Sequence, residues 1–127
     1  MTRRPSTTKT TWAAIIWTVL IFVICWTPSR NLPISEHAPS FLKLIHADKI
    51  VHATIFAVFG FLWRRGTTAP SSIILAAGVA LAVITELGQG TPFVGRDADV
   101  WDGLADILGL ILGILSARMP KPPLAIP

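Results

Sequence analysis

Residues 98–118 read ADVWDGLADILGLILGILSAR, and this stretch decides the fold through its length and its charges. Its uncharged apolar part, Ile107 to Ala117, is shorter than the about 20 residues that a helix needs to cross the hydrocarbon core of a bilayer. A spanning helix here must therefore begin near Ala98. It then takes three carboxylates with it, which are those of Asp99, Asp102 and Asp106.

Three other apolar stretches precede this one. Thr10 to Ser29 and Gly66 to Thr85 carry no charged residue, and each is long enough for a complete span. Ile50 to Trp63 is too short, so the second helix must begin near Ile45. The polar residues that it takes with it are Asp48, Lys49 and His52. The sequence therefore predicts an all-α integral membrane bundle of four transmembrane helices, with re-entrant or half-spanning segments as the alternative for the two short stretches.

The composition agrees with a membrane protein. Hydrophobic residues make up 52% of the 127 residues and charged residues 14%, whereas a soluble domain has roughly 25% charged residues. A soluble domain of this size could not bury so much apolar surface. The basic residues lie at the ends of the apolar stretches and form no stripe or RNA-binding signature, so membrane lipid, and not nucleic acid, is the expected partner.

The distribution of basic residues predicts the orientation, because cytoplasmic segments carry an excess of Lys and Arg. With the N-terminus inside, the cytoplasmic side holds the larger share. It has Arg3, Arg4, Lys9, Arg64, Arg65, Arg118 and Lys121, against Arg30, Lys43, Lys49 and Arg96 on the other side. Both termini are therefore predicted to be cytoplasmic. The chain divides into a cytoplasmic N-terminal segment (1–9), a four-helix membrane domain (10–118) and a disordered proline-rich tail (119–127).

Antiparallel threading of four helices brings three segment ends together at the non-cytoplasmic face. The side chains predicted to form a ligand-binding site there are Asp48, Lys49, His52, Glu86, Gln89, Arg96, Asp99, Asp102 and Asp106. Asp102 and Asp106 share one stripe of the fourth helix with Gly109 and Gly113. Small residues let membrane helices approach closely. The stripe is therefore expected to face the bundle, with the two glycines packing against a neighbouring helix.

The predicted site carries more negative than positive charge. Its five carboxylates stand against Lys49 and Arg96, which leaves a net charge of −3 when His52 is neutral. Protonation, a bound cation or a cationic part of a ligand must relieve this excess. A histidine with several carboxylates is compatible with a divalent cation, although the sequence has no local ligand motif such as HExxH. For Asp99 and Asp102 the alternative is a structural role at a helix N-terminus, where the helix dipole favours negative charge.

Four short motifs, taken in order, also resemble a known family. They are Asp48-Lys49-x-x-His52, Glu86-x-x-Gln89, Arg96-x-x-Asp99-x-x-Asp102 and Gly109-x-x-x-Gly113. Over residues 10–118 this arrangement is similar to the VanZ-like family of bacterial membrane proteins. Asp106 departs from the family pattern, which often has Asn there, and the extra acid favours a protonated or cation-bound site. The resemblance implies a location in the bacterial cytoplasmic membrane and a link to the cell envelope, and the family's namesake is associated with resistance to the glycopeptide antibiotic teicoplanin.

The sequence is compatible with three functions. In the first, an envelope protein binds a ligand, such as a lipid-linked precursor or a glycopeptide, in its outward-facing polar pocket. In the second, an intramembrane enzyme acts on a lipid-linked substrate by acid–base or metal-assisted catalysis. The catalytic candidates for this are His52, Glu86, Asp102 and Asp106. In the third, the same groups serve a proton- or ion-coupled transporter, for which several chains would have to associate.

Overall fold

The computed structural model describes residues 8–28 and 47–117. Within these two ranges the chain forms four helices and no strand, so the predicted all-α class is confirmed. The helices are α1 (Thr8–Trp26), α2 (Ala47–Gly66), α3 (Ser71–Gln89) and α4 (Val100–Ser116). The tail at 119–127, most of the N-terminal segment at 1–9 and the predicted start of the second helix near Ile45 lie outside the described residues.

The loop between α3 and α4 fixes how these two helices meet. Asp99 caps α4, because its Oδ1 accepts a hydrogen bond from the Trp101 backbone N–H at 2.9 Å. The Arg96 backbone N–H donates to the Gln89 carbonyl at 3.2 Å, which folds the loop back over the end of α3. Gly95 takes the turn at φ 66°, in the left-handed region that favours glycine. The acidic start of α4 therefore lies beside the end of α3.

Helix α2 lies at the centre of the bundle and, like α3, packs against all three other helices. Its most extensive contact is with α4. A Cβ added at Gly109 would collide with the backbone carbonyl of Ala53. One added at Gly113 would collide in the same way with Ala57. Because these positions leave no room for a side chain, the backbones of α2 and α4 touch, and this contact sets the register between the polar ends of the two helices.

Two tryptophan side chains join α1 to α2. Trp17 Nε1 donates a hydrogen bond to the Ile55 carbonyl at 2.9 Å. Trp63 Nε1 donates to Thr18 Oγ1 at 3.0 Å. Their N–H groups are thus satisfied within a largely apolar contact, as the half-buried tryptophans require, and Thr11 Oγ1 adds a hydrogen bond to the Gly66 carbonyl at 2.6 Å.

Two helices, α1 and α3, are long and apolar enough to cross a membrane. Only 17% of the most apolar window of α1 and 28% of that of α3 are buried. A core helix of a soluble protein would be mostly buried, so these apolar side chains face outwards to an unusual extent. Helices α2 and α4 do not meet the same criterion, in line with their short apolar stretches. The structure therefore contains two candidate membrane-spanning helices.

Candidate functional site

A histidine and an aspartate form a buried pair between α2 and α4. His52 Nδ1 lies 2.8 Å from Asp106 Oδ1 in a hydrogen bond whose donor depends on the tautomer of the ring. Asp106 is 0% exposed, and His52 is nearly as deeply buried. Asp106 lies one turn further into α4 than Asp102, on the stripe that faces α2. The glycine contact between the two helices holds it opposite His52.

Lys49 is the centre of a more exposed group of charges at the same end of the bundle. Its Nζ lies 3.0 Å from Asp102 Oδ1, 3.1 Å from Asp99 Oδ2 and 3.3 Å from Asp48 Oδ2. We call these four residues the outer ion-pair layer. The Asp48 side chain is 60% exposed, so its contact with Lys49 adds little stability. Asp102 is largely buried, and its Oδ2 lies 3.8 Å from His52 Nε2, which joins this layer to the buried pair.

Glu86 brings α3 into the site. Its Oε2 accepts a hydrogen bond from the Asp99 backbone N–H at 3.0 Å, which fixes the carboxylate against the start of α4. His52, Glu86 and Asp106 each offer one ligand atom, and these atoms all lie within 4.8 Å of one another. We call these three residues the inner polar cluster. It draws one side chain from each of α2, α3 and α4.

Three buried polar atoms at this end of the bundle have no hydrogen-bond partner among the described residues. They are Glu86 Oε1, Gln89 Nε2 and Asp106 Oδ2. Gln89 is 2% exposed, and it lies three residues after Glu86 on the same side of α3. A buried polar atom left unsatisfied costs about 1–3 kcal/mol, and more when the group is charged. Two acceptors and one donor are therefore available to a ligand, a proton or an ion.

Arg96 and Cys25 border the site. Arg96 is half-buried, and its guanidinium forms no ion pair with residues 8–28 or 47–117. Cys25 is buried near the end of α1, beside Trp26, whose indole ring lies against Gly88 near the end of α3. This contact was not predicted, because spacing along α1 does not show which helix its end packs against.

The structure brings the predicted site residues to one end of the bundle, but in different surroundings. Asp48, Lys49, Asp99 and Asp102 form the outer ion-pair layer, His52, Glu86 and Asp106 form the inner polar cluster, and Gln89 and Arg96 lie beside them. The structural role considered for Asp99 is also present, since Asp99 caps α4 while it pairs with Lys49. Asp102 lies in the first turn of α4, where the helix dipole favours its charge, and its carboxylate also faces Lys49 and His52.

An apolar groove of about 370 Å³ runs between α3 and α4 and reaches the site. Its lining residues are Ala82, Val83, Glu86, Leu87, Ala98, Asp99, Val100, Gly103, Leu104 and Ile107. Glu86 and Asp99 supply the charged side chains of this lining, and Leu87 and Val100 are strongly exposed at its outer edge. The groove was not predicted, because it depends on how far α3 and α4 diverge.

A larger cavity, of about 520 Å³, lies beside Trp63 between α1, α2 and α3. Its lining carries no charged side chain, so it offers space for a ligand but no charged group to bind or transform it. The polar end of the bundle is therefore the candidate functional site.

This arrangement can hold a cation, pass a proton through His52, or bind the donor groups of a polar ligand. A buried carboxylate with a free oxygen, beside a histidine, is suited to each of these. Comparison of the chain with protein-family models, curated proteins and solved structures gives no match. The similarity to the VanZ-like family therefore stays a prediction.

Proposed function

We propose that this chain is a multi-pass protein of the bacterial cytoplasmic membrane, with four transmembrane helices and both termini in the cytoplasm. The polar end of the bundle faces outwards and binds the polar head of a lipid-linked ligand of the cell envelope. The hydrocarbon chain of that ligand lies in the groove between α3 and α4. The observation that carries the proposal is the position of Glu86, whose carboxylate belongs both to the inner polar cluster and to the wall of the groove.

Exposed apolar side chains on all four helices support the membrane location. Ile16, Val51, Ile73 and Leu108 represent α1 to α4 in this respect, and each is at least half exposed. Soluble monomers rarely expose so large an apolar surface. The polar starts of α2 and α4 are compatible with a membrane because the Lys49 ion pairs and the His52 hydrogen bond satisfy most of their charged groups.

The free polar atoms match the head of an amphiphilic ligand. Glu86 Oε1 and Asp106 Oδ2 can accept hydrogen bonds from hydroxyl or amino groups, and Gln89 Nε2 can donate one. The Arg96 guanidinium suits an anionic group such as a lipid phosphate. An apolar groove with a few convergent polar groups at one end is typical of a small-molecule binding site.

A matched pair of substitutions on α4 tests the groove. Leu104 lines the groove and Leu108, one turn further along, does not, yet the two side chains are similarly exposed, at 50% and 57%. We expect Leu104→Trp to fill the groove and weaken binding of a polyprenyl phosphate by about tenfold, which is about 1.4 kcal/mol. Leu108→Trp should bind like the wild type. Binding is measured by native mass spectrometry of the detergent-solubilised protein titrated with the lipid, and equal binding by all three proteins would contradict the proposal.

The hydrogen bond between His52 and Asp106 favours a second candidate function, an intramembrane acid–base enzyme. A carboxylate that holds one ring nitrogen orients a histidine for proton transfer at the other nitrogen. The enzyme hypothesis is tested by phosphate release from a polyprenyl diphosphate. Release by the wild-type protein and its loss in His52→Ala would support the hypothesis, whereas no release by the wild type would contradict it for this class of substrate.

A further inference from the structure

We infer that the inner polar cluster of His52, Glu86 and Asp106 is a binding site for a single divalent transition-metal ion. The site does not depend on the proposed ligand or on the orientation of the chain in a membrane. It follows from the geometry, burial and charge of three side chains that come from three different helices.

The distances within the cluster fit a coordination sphere. Bonds of about 2.0–2.2 Å from zinc to nitrogen or oxygen separate two ligand atoms by roughly 3.0–3.4 Å when they are neighbours and by about 4.2 Å when they are opposite. The atoms offered by the three residues all lie within 4.8 Å of one another. His52 Nδ1 and Asp106 Oδ1 are hydrogen-bonded at 2.8 Å, slightly closer than two neighbouring ligands of one ion. Binding of an ion would replace this hydrogen bond and needs an adjustment of the three side chains to bring their ligand atoms onto one centre.

Asp106 provides an independent indication of a bound group. Its side chain is 0% exposed, and its Oδ2 has no hydrogen-bond partner among the described residues. Glu86 Oε1 is likewise buried and without a partner there. Leaving two carboxylate oxygens unsatisfied in a buried site is strongly unfavourable. Both oxygens belong to residues whose ligand atoms converge on the same small volume, where a cation would satisfy them together.

The charge of the cluster also matches a divalent ion. With neutral His52, the two carboxylates give the cluster a charge of −2. Lys49 does not neutralise them, because its Nζ pairs with the carboxylates of the outer ion-pair layer. One divalent ion removes the whole excess. The combination of an imidazole nitrogen with carboxylate oxygens is suited to zinc, iron or manganese, and a site without thiolate does not select copper(I).

Three protein ligands leave at least one coordination position for another oxygen. Because Glu86 also lines the groove, that position is open to the head group of a molecule lying there. A phosphate oxygen of the lipid-linked ligand would bind the ion while Arg96 holds a second oxygen. This last step rests on the proposed function, whereas the metal site itself does not.

Metal binding is measured on the full chain in detergent, first stripped with a chelator and then titrated with Zn²⁺ or Mn²⁺ alone. We expect one ion per chain by elemental analysis and a higher midpoint of thermal unfolding after loading. Glu86→Gln and Asp106→Asn each remove a ligand charge and should lower the affinity for the ion at least about tenfold. Asp48→Asn is the matched control, because it removes an acid at the same end of the bundle that is 60% exposed and outside the inner polar cluster.

The visible spectrum of the Co²⁺-loaded wild type provides a readout that needs no variant, since it reports nitrogen and oxygen coordination directly. Failure of the wild type to bind one ion per chain, or wild-type affinity in the folded Glu86→Gln protein, would overturn the inference. The lipid measurement separates this result from the proposed function. If the protein binds polyprenyl phosphate but takes up no ion, the metal site is refuted and the proposed ligand is supported. If it binds the ion but not the lipid, the metal site is supported and the proposed ligand is refuted.

Discussion

At the scale of single residues, Asp106 is the most constrained side chain of the site. It is fully buried, one of its oxygens is bound to His52, and the other has no partner among the described residues. A lone carboxylate in such a position would be expelled or protonated. Its retention here depends on His52 of α2, which contacts it directly.

Replacement of His52 tests this dependence. We expect His52→Ala to lower the free energy of unfolding by about 1–3 kcal/mol, because it leaves Asp106 Oδ1 buried without its hydrogen bond. Cys25 is the single cysteine and is buried, so a thiol-reactive dye will label it only as the bundle opens. Unfolding is followed by this labelling during heating. Thr54→Ala, an exposed substitution on the same helix, is the control, and equal midpoints for the two variants would contradict the prediction.

The sequence predicted which residues gather at the site but not how they pair. The stripe of Asp102 and Asp106 follows from helical spacing alone. The pairing of Lys49 with Asp99 and Asp102 could not be predicted, because these residues are some 50 positions apart in the chain. They depend on the fold of the loop at Gly95, which periodicity does not describe.

At the scale of helices, the contact between α2 and α4 positions the chemistry. Gly109 and Gly113 allow the two backbones to touch, and the same stripe of α4 carries Asp106 into contact with α2. Helix positions were predictable from the uncharged stretches. The start of α4 at Val100, and not near Ala98, reflects the cap formed by Asp99.

A pair of glycine substitutions on α4 tests this contact. The added methyl group of Gly109→Ala would collide with the Ala53 carbonyl, so we expect α2 and α4 to separate and stability to fall by about 1–3 kcal/mol. The methyl group of Gly103→Ala meets only Glu86 Cγ, at 3.9 Å, and should be neutral or slightly stabilising because alanine favours a helix. The stability of both variants is measured by labelling of Cys25 during heating. A Gly109→Ala protein as stable as the Gly103→Ala protein would show that the backbones of α2 and α4 are not in close contact.

At the scale of the whole molecule, the arrangement in the membrane is the property to test. Single cysteines are placed at Ser35 and Pro123 in a Cys25→Ser background, in intact cells. A thiol reagent that does not cross the membrane should label the cysteine at position 35 and leave that at position 123 unlabelled, because the excess of basic residues predicts that both termini lie inside. Labelling at position 123 without permeabilisation would reverse the predicted orientation. A detergent-permeabilised sample, in which both positions react, is the control.

The central position of α2 has a consequence for biogenesis. In the proposed membrane arrangement, α2 would leave the ribosome well before α4, its most extensive partner, has been made. During that interval Lys49 lacks Asp99 and Asp102, and His52 lacks Asp106. The second helix would therefore be expected to complete its insertion only when the last helix arrives and supplies these partners. A chain that ends before residue 99 would lack these partners and keep only α1 and α3, the two candidate membrane-spanning helices.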